Sequence, residues 1–545
     1  MNGIKVLDCT LRDGGYCNEW MFGFDNIKKI VKGLVNAEID IIECGFLVEN
    51  LEYQQDATKF SDLMQLSTFL PSKSLEKLFV AMINYGEYDV ERLPQYDGYS
   101  IDGIRVAFHK KDLLGALEVC RIIKQKGYKV FVQPMVSLSY TDIEFINLIN
   151  MCNEIEPYAF YIVDSFGAMN TRDLNRLFSI VENNLKSDIW IGFHSHNNMQ
   201  LSYSSAQNLI HTNTNRNIVI DSSIYGMGRG AGNLNTELLI QYLNEVRSCS
   251  YKTPPLLNII DEIINLFYEQ NHWGFSLPNY LSAVYNTHPN YAAYLSEKNT
   301  LTYENMDQIF SIMDDEKRIT YDKKYIEQLY IRYMARSVTY EEHLFELKEI
   351  LSGKEVLIIA PGKSIEEENE KIIDFLNVEG VISICVGFDD KRYKTDFIFI
   401  SNLRRYREIN NKKSNKMIVT SNIPADEVFL QVDYQSLLND IEVIKDNSLM
   451  MLIQFLLNMD VKKIALAGVD GYSHEISENY ASHSMAMITK TATLDAMNAG
   501  MSRMLQRFRE KIELRFITKP KYVNVNFQNE LSLENMTSKQ ITEKP

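Results

Sequence analysis

Ile4-Lys5-Val6-Leu7-Asp8-Cys9-Thr10-Leu11 is an apolar run that ends in the polar turn Arg12-Asp13-Gly14-Gly15-Tyr16. Runs of the same kind recur every ~25–35 residues. They are Ile39–Phe46, Leu78–Ile83, Gly103–Phe108, Lys129–Met135, Tyr158–Asp164, Ile189–His194 and Ile218–Ser223. Each is nearly continuous in apolar character, as strands buried on both faces of a parallel sheet must be. Between them lie amphipathic stretches at Asp25–Ala37, Leu113–Lys126, Tyr140–Glu154, Thr171–Asn184 and Leu201–Thr212, some opened by helix-start signals such as Tyr140-Thr141-Asp142. Eight strands alternating with helices predict an α/β fold, a (β/α)8 TIM barrel over residues 1–235. A doubly wound open sheet is the competing arrangement.

Strand signals then stop. Residues 236–350 carry helical segments rich in Leu, Ile and Tyr, including Leu256–Tyr268, Pro278–Tyr285, Tyr303–Met313 and Lys324–Met334, and read as a helical extension. A second, smaller α/β (Rossmann-like) domain is expected over 351–526. It opens with Val356-Leu357-Ile358-Ile359-Ala360-Pro361-Gly362-Lys363-Ser364, with further strands at Val381–Val386, Phe397–Ile400, Lys416–Thr420 and Lys463–Gly468. The polar tail 527–545 is expected to be disordered.

A chain of 545 residues with 45% hydrophobic and 23% charged residues has the composition of a multidomain globular protein. The net charge of −16 argues against nucleic acid as a principal partner, which would select a basic face. Seven cysteines, odd in number and irregular in spacing, argue against a disulfide framework. No signal-peptide pattern opens the chain, and no apolar run approaches the ~20 residues of a membrane span. A cytoplasmic protein that does not engage membranes is expected.

In a parallel barrel the carboxyl ends of the strands converge on one mouth, where active sites are built. The polar residues there are Arg12, Asp13 and Tyr16 after strand 1, Glu43 on strand 2 and His109 after strand 4. Strand 5 adds Gln133 and strand 6 Ser165; His194 and His196 come from strand 7, and Asn233 closes the loop Gly226-Met227-Gly228-Arg229-Gly230-Ala231-Gly232-Asn233. His194 and His196 are two apart and share a strand face. With Asp13 across the mouth they form a set suited to Mn²⁺, Mg²⁺, Co²⁺ or Zn²⁺. Alone, His-x-His also fits two solvent-facing histidines. Arg12 reads either as a structural ion pair with Asp13 or as a guanidinium that steadies a developing oxyanion. The glycine run reads as a tight turn or as a close-approach loop.

Leu11-Arg12-Asp13-Gly14-Gly15, His194-Ser195-His196-Asn197 and the 226–233 loop, in that order, resemble the DRE-TIM metallolyases. That superfamily includes 4-hydroxy-2-oxovalerate aldolase, hydroxymethylglutaryl-CoA lyase, isopropylmalate and homocitrate synthases and pyruvate carboxylase domains. The three motifs fall within about residues 1–240. Asp164-Ser165-Phe166-Gly167-Ala168, Asn271-His272-Trp273-Gly274-Phe275 and Thr287-His288-Pro289-Asn290-Tyr291 resemble the aldolase branch and carry the likeness to about residue 300. The resemblance implies Asp13, His194, His196 and Asn233 at a divalent metal, Mn²⁺ foremost. Arg12 would stabilise an enolate, and Ser165 would contact the pyruvyl group; Glu43 and Gln133, from their place at the strand ends, are expected to join them in binding substrate. The implied enzyme is a class II pyruvate aldolase, a carbon–carbon lyase. It would cleave a 4-hydroxy-2-oxo acid to pyruvate and an aldehyde through an enolate held at the metal, or run the reverse addition. Its partners would be those small molecules, with a homo-oligomer or a partner enzyme also compatible.

One position departs from the branch. The characterised aldolases carry a histidine where Tyr16 stands, and that histidine takes the C4 hydroxyl proton. Tyr16 itself, His109 or His288 could replace it, and each also fits a packing or surface role. Cysteine is absent from 226–233, which disfavours the hydroxymethylglutaryl-CoA lyase branch. Claisen-type acyl-CoA synthases of the same superfamily stay open, as does a catalytically retired barrel serving as a scaffold in surface-glycan metabolism. In the last domain, the 358–364 and 467–472 segments are faintly similar to nucleotide-sugar-handling and pterin-kinase-like domains. Gly362-Lys363-Ser364 lacks the earlier glycine of a P-loop. His474 and His483 fit a site or the surface equally.

Overall fold

The computed structural model describes residues 3–49, 51–52, 54–71, 77–298, 301–334, 341–409, 416–425, 428–482 and 491–524; His483 and the 527–545 tail lie outside them. The chain divides into two compact units, residues 1–297 with 306–322, and 298–305 with 323–545.

In the first unit, strands β1 (Ile4–Asp8), β2 (Ile41–Leu47), β3 (Lys59–Phe60), β4 (Leu78–Asn84), β5 (Gly103–Phe108), β6 (Lys129–Pro134), β7 (Ala159–Asp164), β8 (Trp190–Ser195) and β9 (Ile218–Ser222) are all parallel. Their order is β1-β9-β8-β7-β6-β5-β4-β2-β3, and β1 also pairs with β2. The pairing closes a barrel of eight strands, with the two-residue β3 hung outside on β2. The (β/α)8 expectation holds, and the open doubly wound alternative does not. The two faces of each strand explain the continuous apolar runs. Inward residues such as Leu7, Ile41, Val80, Phe131, Tyr161 and Val219 fill the barrel. Outward residues such as Val6, Ile42, Ile104, Val130 and Ile162 pack under the helices. Burial of one such aliphatic side chain stabilises the fold by about 1.5–3 kcal/mol.

Local signals set the helices between strands. Thr141 and Glu144 form a reciprocal capping box that starts the helix Asp142–Ile155, and Asn170 caps Thr171–Asn184. Helices from Thr236 to Ser296 follow the barrel in the same unit. Among the described residues no helix is long and apolar enough to cross a membrane.

The second unit is a seven-stranded parallel sheet of β10 (Glu355–Ile359), β11 (Val381–Val386), β12 (Phe397–Ile400), β13 (Met417–Thr420), β14 (Leu430–Val432), β15 (Lys463–Ala467) and β16 (Glu513–Phe516). The short strands β14 and β16 carry no clear signal in the sequence. His474 is solvent-facing and pairs with Asp495 at 2.8 Å.

Candidate active site

Strand β1 runs straight into the short helix Thr10–Asp13, which turns Arg12 and Asp13 inward at the barrel mouth. Trp20 fixes this turn by donating its indole N–H to Arg12 O (2.8 Å). Both side chains are buried, and Arg12 is pinned on two sides: Nη1 to Asp13 Oδ1 at 2.5 Å and Nε to Glu43 Oε2 at 2.8 Å. Glu43 is fully buried behind Arg12 and takes a second guanidinium on the same oxygen, Nη1 of Arg105 at 2.7 Å. Arg105 lies wholly inside the barrel over the ring of Tyr161, and its other nitrogen donates to Asp221. With Gln133 turned to present its amide oxygen, that nitrogen also meets Gln133 at 2.9 Å. Asp221 holds the ring of His194 through Nδ1 at 3.0 Å.

These groups form one buried chain of charge, in which two guanidiniums (Arg12, Arg105) face three carboxylates (Asp13, Glu43, Asp221). The floor of the site therefore carries one uncompensated negative charge beside two imidazoles. Burial alone would raise the Asp13 pKa, but Arg12 and the two histidines hold it well below the usual carboxylate range. Burial pushes His196 down to about 3, so its ring is neutral at pH 7. Metal ligation requires just these forms, an ionised carboxylate and neutral imidazole.

Asp13, His194 and His196 offer ligand atoms that all lie within 4.8 Å of one another. Because Asp221 engages His194 Nδ1, its Nε2 is the atom left for a ligand; a carboxylate in that position fixes tautomer and ring direction. Two buried atoms of this cluster have no hydrogen-bond partner, His196 Nδ1 and Asn233 Oδ1. The donor set, its charge and these orphaned atoms fit a divalent ion. Asn233 joins through the glycine loop, which folds back on the end of β8: Asn197 N donates to Gly232 O (2.8 Å), and His196 bridges to Asn233. Its Nδ2 donates to Asp13 Oδ2 at 2.7 Å. Gly228 is required there, since a Cβ would lie 2.3 Å from Asn233 Nδ2 and 2.7 Å from Asp13 Oδ2.

Arg12, Asp13, Tyr16, Gln133, Ser165, His194 and His196 line one cavity, together with Arg229 and an apolar side of Phe46, Met82, Ala107 and Val163. Tyr16 stands at the rim, 41% exposed, edge-on to Trp20 and under the Arg229 guanidinium at 5.4 Å. Ser165 Oγ accepts from Val136 N (2.8 Å), which fixes its hydroxyl. His109 lies outside the lining residues; burial first, and the Lys111 charge after it, lower its pKa. His288 caps the helix Pro289–Ser296 through Asn290 N, and burial pushes it down to about 3.

Three residues of the site were not singled out from sequence. Asp221 and Arg105 are charged residues inside apolar strand runs, on opposite sides of the barrel, and that pairing of signs was the available signal. Arg229 was hidden among glycines. Its Nη2 donates to Ser165 O (3.0 Å) and its Nε is buried without a partner. Among the described residues no carboxylate forms an ion pair with it.

Residues 109–261 match the family described as HMGL-like. A 4-hydroxy-2-oxovalerate aldolase of Geobacillus genomosp. 3 is 25% identical over 248 residues, 45% of this chain and 71% of that protein. One of Pseudoalteromonas translucida is 26% identical over 252 residues, 45% of this chain and 72% of the relative. The solved N-terminal domain of a suspected aldolase from Bacteroides vulgatus is 28% identical, covering 54% of this chain and 97% of that domain with a TM-score of 0.47.

Proposed function

We propose that the N-terminal unit, whose residues 109–261 match the HMGL-like family, is a divalent-metal-dependent aldolase of the DRE-TIM kind. It would cleave a 4-hydroxy-2-oxo acid to pyruvate and an aldehyde, or join them. The observation that carries this reading is the buried convergence of Asp13, His194 and His196, with His196 Nδ1 and Asn233 Oδ1 unpartnered beside them.

Asp13, His194 and His196 would hold the ion, with Asn233 beside them. A bound divalent ion, Mn²⁺ foremost, supplies Lewis acidity toward the 2-oxo group. Arg12 is held by Glu43 and Asp13, and its remaining N–H groups would meet the oxygen on which negative charge grows as C3–C4 breaks. Because those contacts are made before substrate arrives, no reorganisation is needed at the barrier. Ser165 and Gln133 line the cavity and would contact the pyruvyl group. The C4 hydroxyl loses its proton as the aldehyde forms, and the enolate takes a proton at C3 to become pyruvate. Tyr16, on the cavity wall, would hold that hydroxyl. Arg229, which forms no ion pair among the described residues, brings a cation to the same rim and would take an anionic group of the substrate.

The test is release of pyruvate from a panel of 4-hydroxy-2-oxo acids with Mn²⁺, followed with lactate dehydrogenase and NADH. The reading predicts turnover of at least one member and its loss in His194→Ala. No pyruvate from any member, with no bound metal by elemental analysis, overturns it.

A further inference from the structure

The charges at the barrel mouth do not close on a substrate that has one carboxylate. Two guanidiniums against three carboxylates leave the floor one net negative charge. A divalent ion on Asp13, His194 and His196 would turn that into one net positive charge, and the carboxylate of a 2-oxo acid cancels it. The floor is then neutral, and Arg229 has had no part in the balance. Arg229 lines the same cavity, forms no ion pair among the described residues and has its Nε buried without a partner. What it does touch is uncharged: the Ser165 carbonyl at 3.0 Å and the face of the Tyr16 ring at 5.4 Å. A guanidinium has five N–H donors, and the Ser165 carbonyl takes one of them.

The backbone that carries Arg229 is held on both sides. Cys17 Sγ donates to Gly228 O at 3.3 Å, and Ala231 N donates to Asn198 Oδ1 at 3.0 Å. Gly230 has φ +69°, and a Cβ there would lie 2.9 Å from the same Asn198 oxygen. The guanidinium is therefore set at the rim, over the partly exposed Tyr16, while Arg12 and the metal-ligand set are buried at the floor. Its field extends outward from there. Burial first, and the Arg229 charge after it, push His288 down to about 3, and that ring stands edge-on to Phe166 at 5.8 Å. A substrate whose pyruvyl half occupies the floor has its aldehyde half left to meet Arg229.

We propose that the aldehyde half of the substrate is itself anionic and carries a carboxylate or phosphate group that Arg229 binds. This rests on the aldolase reading above and narrows it to 4-hydroxy-2-oxo acids with a second negative charge beyond C4. A guanidinium meets either oxyanion through paired N–H donors. A neutral tail would strip water from Arg229 and return no counter-charge, which disfavours it.

The experiment runs the full chain in the condensation direction, with pyruvate, Mn²⁺ and aldehydes in matched pairs: butanal with 4-oxobutanoate, and glyceraldehyde with glyceraldehyde 3-phosphate. The first pair reports a carboxylate and the second a phosphate. The expected result is a kcat/KM higher by about tenfold or more for the anionic member of at least one pair. Arg229→Ala is expected to cut that preference about 10–100-fold, the worth of one charge-assisted contact. Binding without turnover is read by isothermal titration of the Mn²⁺-loaded chain with pyruvate, 2-oxoheptanoate and 2-oxoheptanedioate, which lack a C4 hydroxyl. The dianion should bind more tightly than 2-oxoheptanoate, and Arg229→Ala should remove the difference. Should that variant fail to fold, Arg229→Gln and the wild-type pairs decide. Equal use of both members of each pair, with equal affinity for the two longer acids, overturns the proposal and leaves the aldolase reading standing. A preference that survives loss of Arg229 overturns it too. So does a loss of pyruvate affinity as large as that for the dianion, which would place Arg229 on the pyruvyl carboxylate. No condensation with any aldehyde, and no pyruvate from the cleavage panel, sinks the aldolase reading itself.

Discussion

Asp221 offers the sharpest handle on the barrel site, because its replacement can separate charge from packing. Its Oδ2 accepts from both His194 Nδ1 (3.0 Å) and Arg105, while Oδ1 is buried without a partner. In Asp221→Asn the amide oxygen can take the Oδ2 position and accept from both, with the NH₂ in the place of Oδ1. Shape and hydrogen bonds survive, and one negative charge is lost. The buried chain then has two guanidiniums against two carboxylates, and His194 loses the anion that fixes its tautomer and ring direction. Loss of such a partner weakens metal binding by about 10–100-fold, or about 1.4–2.8 kcal/mol. Asp221→Ala differs: it leaves Arg105 buried with Glu43 as its one anionic partner and should cost about 3–5 kcal/mol of stability. The assay is Mn²⁺ titration calorimetry on EDTA-stripped protein, paired with urea unfolding of all three forms. Wild-type Mn²⁺ affinity in Asp221→Asn would refute the role given to Asp221 in aiming His194.

Gly228→Ala forces a methyl group to within 2.3 Å of Asn233 Nδ2 and 2.7 Å of Asp13 Oδ2. It should lower Mn²⁺ affinity by about tenfold or more while far-UV circular dichroism is unchanged; unaltered affinity contradicts the close approach. Arg229→Ala should raise KM by about 10–100-fold with a smaller change in kcat, as expected for a contact that binds one substrate anion throughout; a pure kcat loss would place Arg229 in the chemistry instead. Asp8 gives a pH dependence. Burial raises its pKa to about 6 from an ordinary 3.8, against hydrogen bonds from Thr236 Oγ1 and Thr10 N. A carboxyl raised on folding contributes stability that is fully present below about pH 4 and lost as pH rises through about 6, here about 3 kcal/mol. In Asp8→Asn that loss should vanish, so urea midpoints of the first unit should diverge in the variant's favour between pH 4.5 and 7; parallel curves would contradict it.

The barrel was legible because parallel strands are apolar on both faces, so Tyr158–Asp164 or Ile218–Ser223 stands out without any alternation to decode. Asp13, His194 and His196 were legible for a related reason: polar residues at the ends of such runs have only the mouth to point into. Glu43 was found but its job was not. It lies four residues before the end of β2, and only the geometry shows that it grips Arg12 and Arg105 and is not among the cavity's lining residues. Arg105 and Asp221 are 116 positions apart, and a contact across a closed barrel leaves no local pattern. In the second unit β14 and β16 have three and four residues, too short for periodicity to register.

The central claim is that the barrel mouth holds a divalent ion and Arg12 so as to stabilise the enolate of pyruvate. Exchange of the pyruvate methyl hydrogens for deuterium in D₂O, read by mass spectrometry, tests it without knowledge of the aldehyde. The account predicts exchange that requires added Mn²⁺, stops with EDTA, and is absent in Asp13→Ala. Exchange no faster than in enzyme-free buffer, or exchange indifferent to both EDTA and Asp13→Ala, would contradict it.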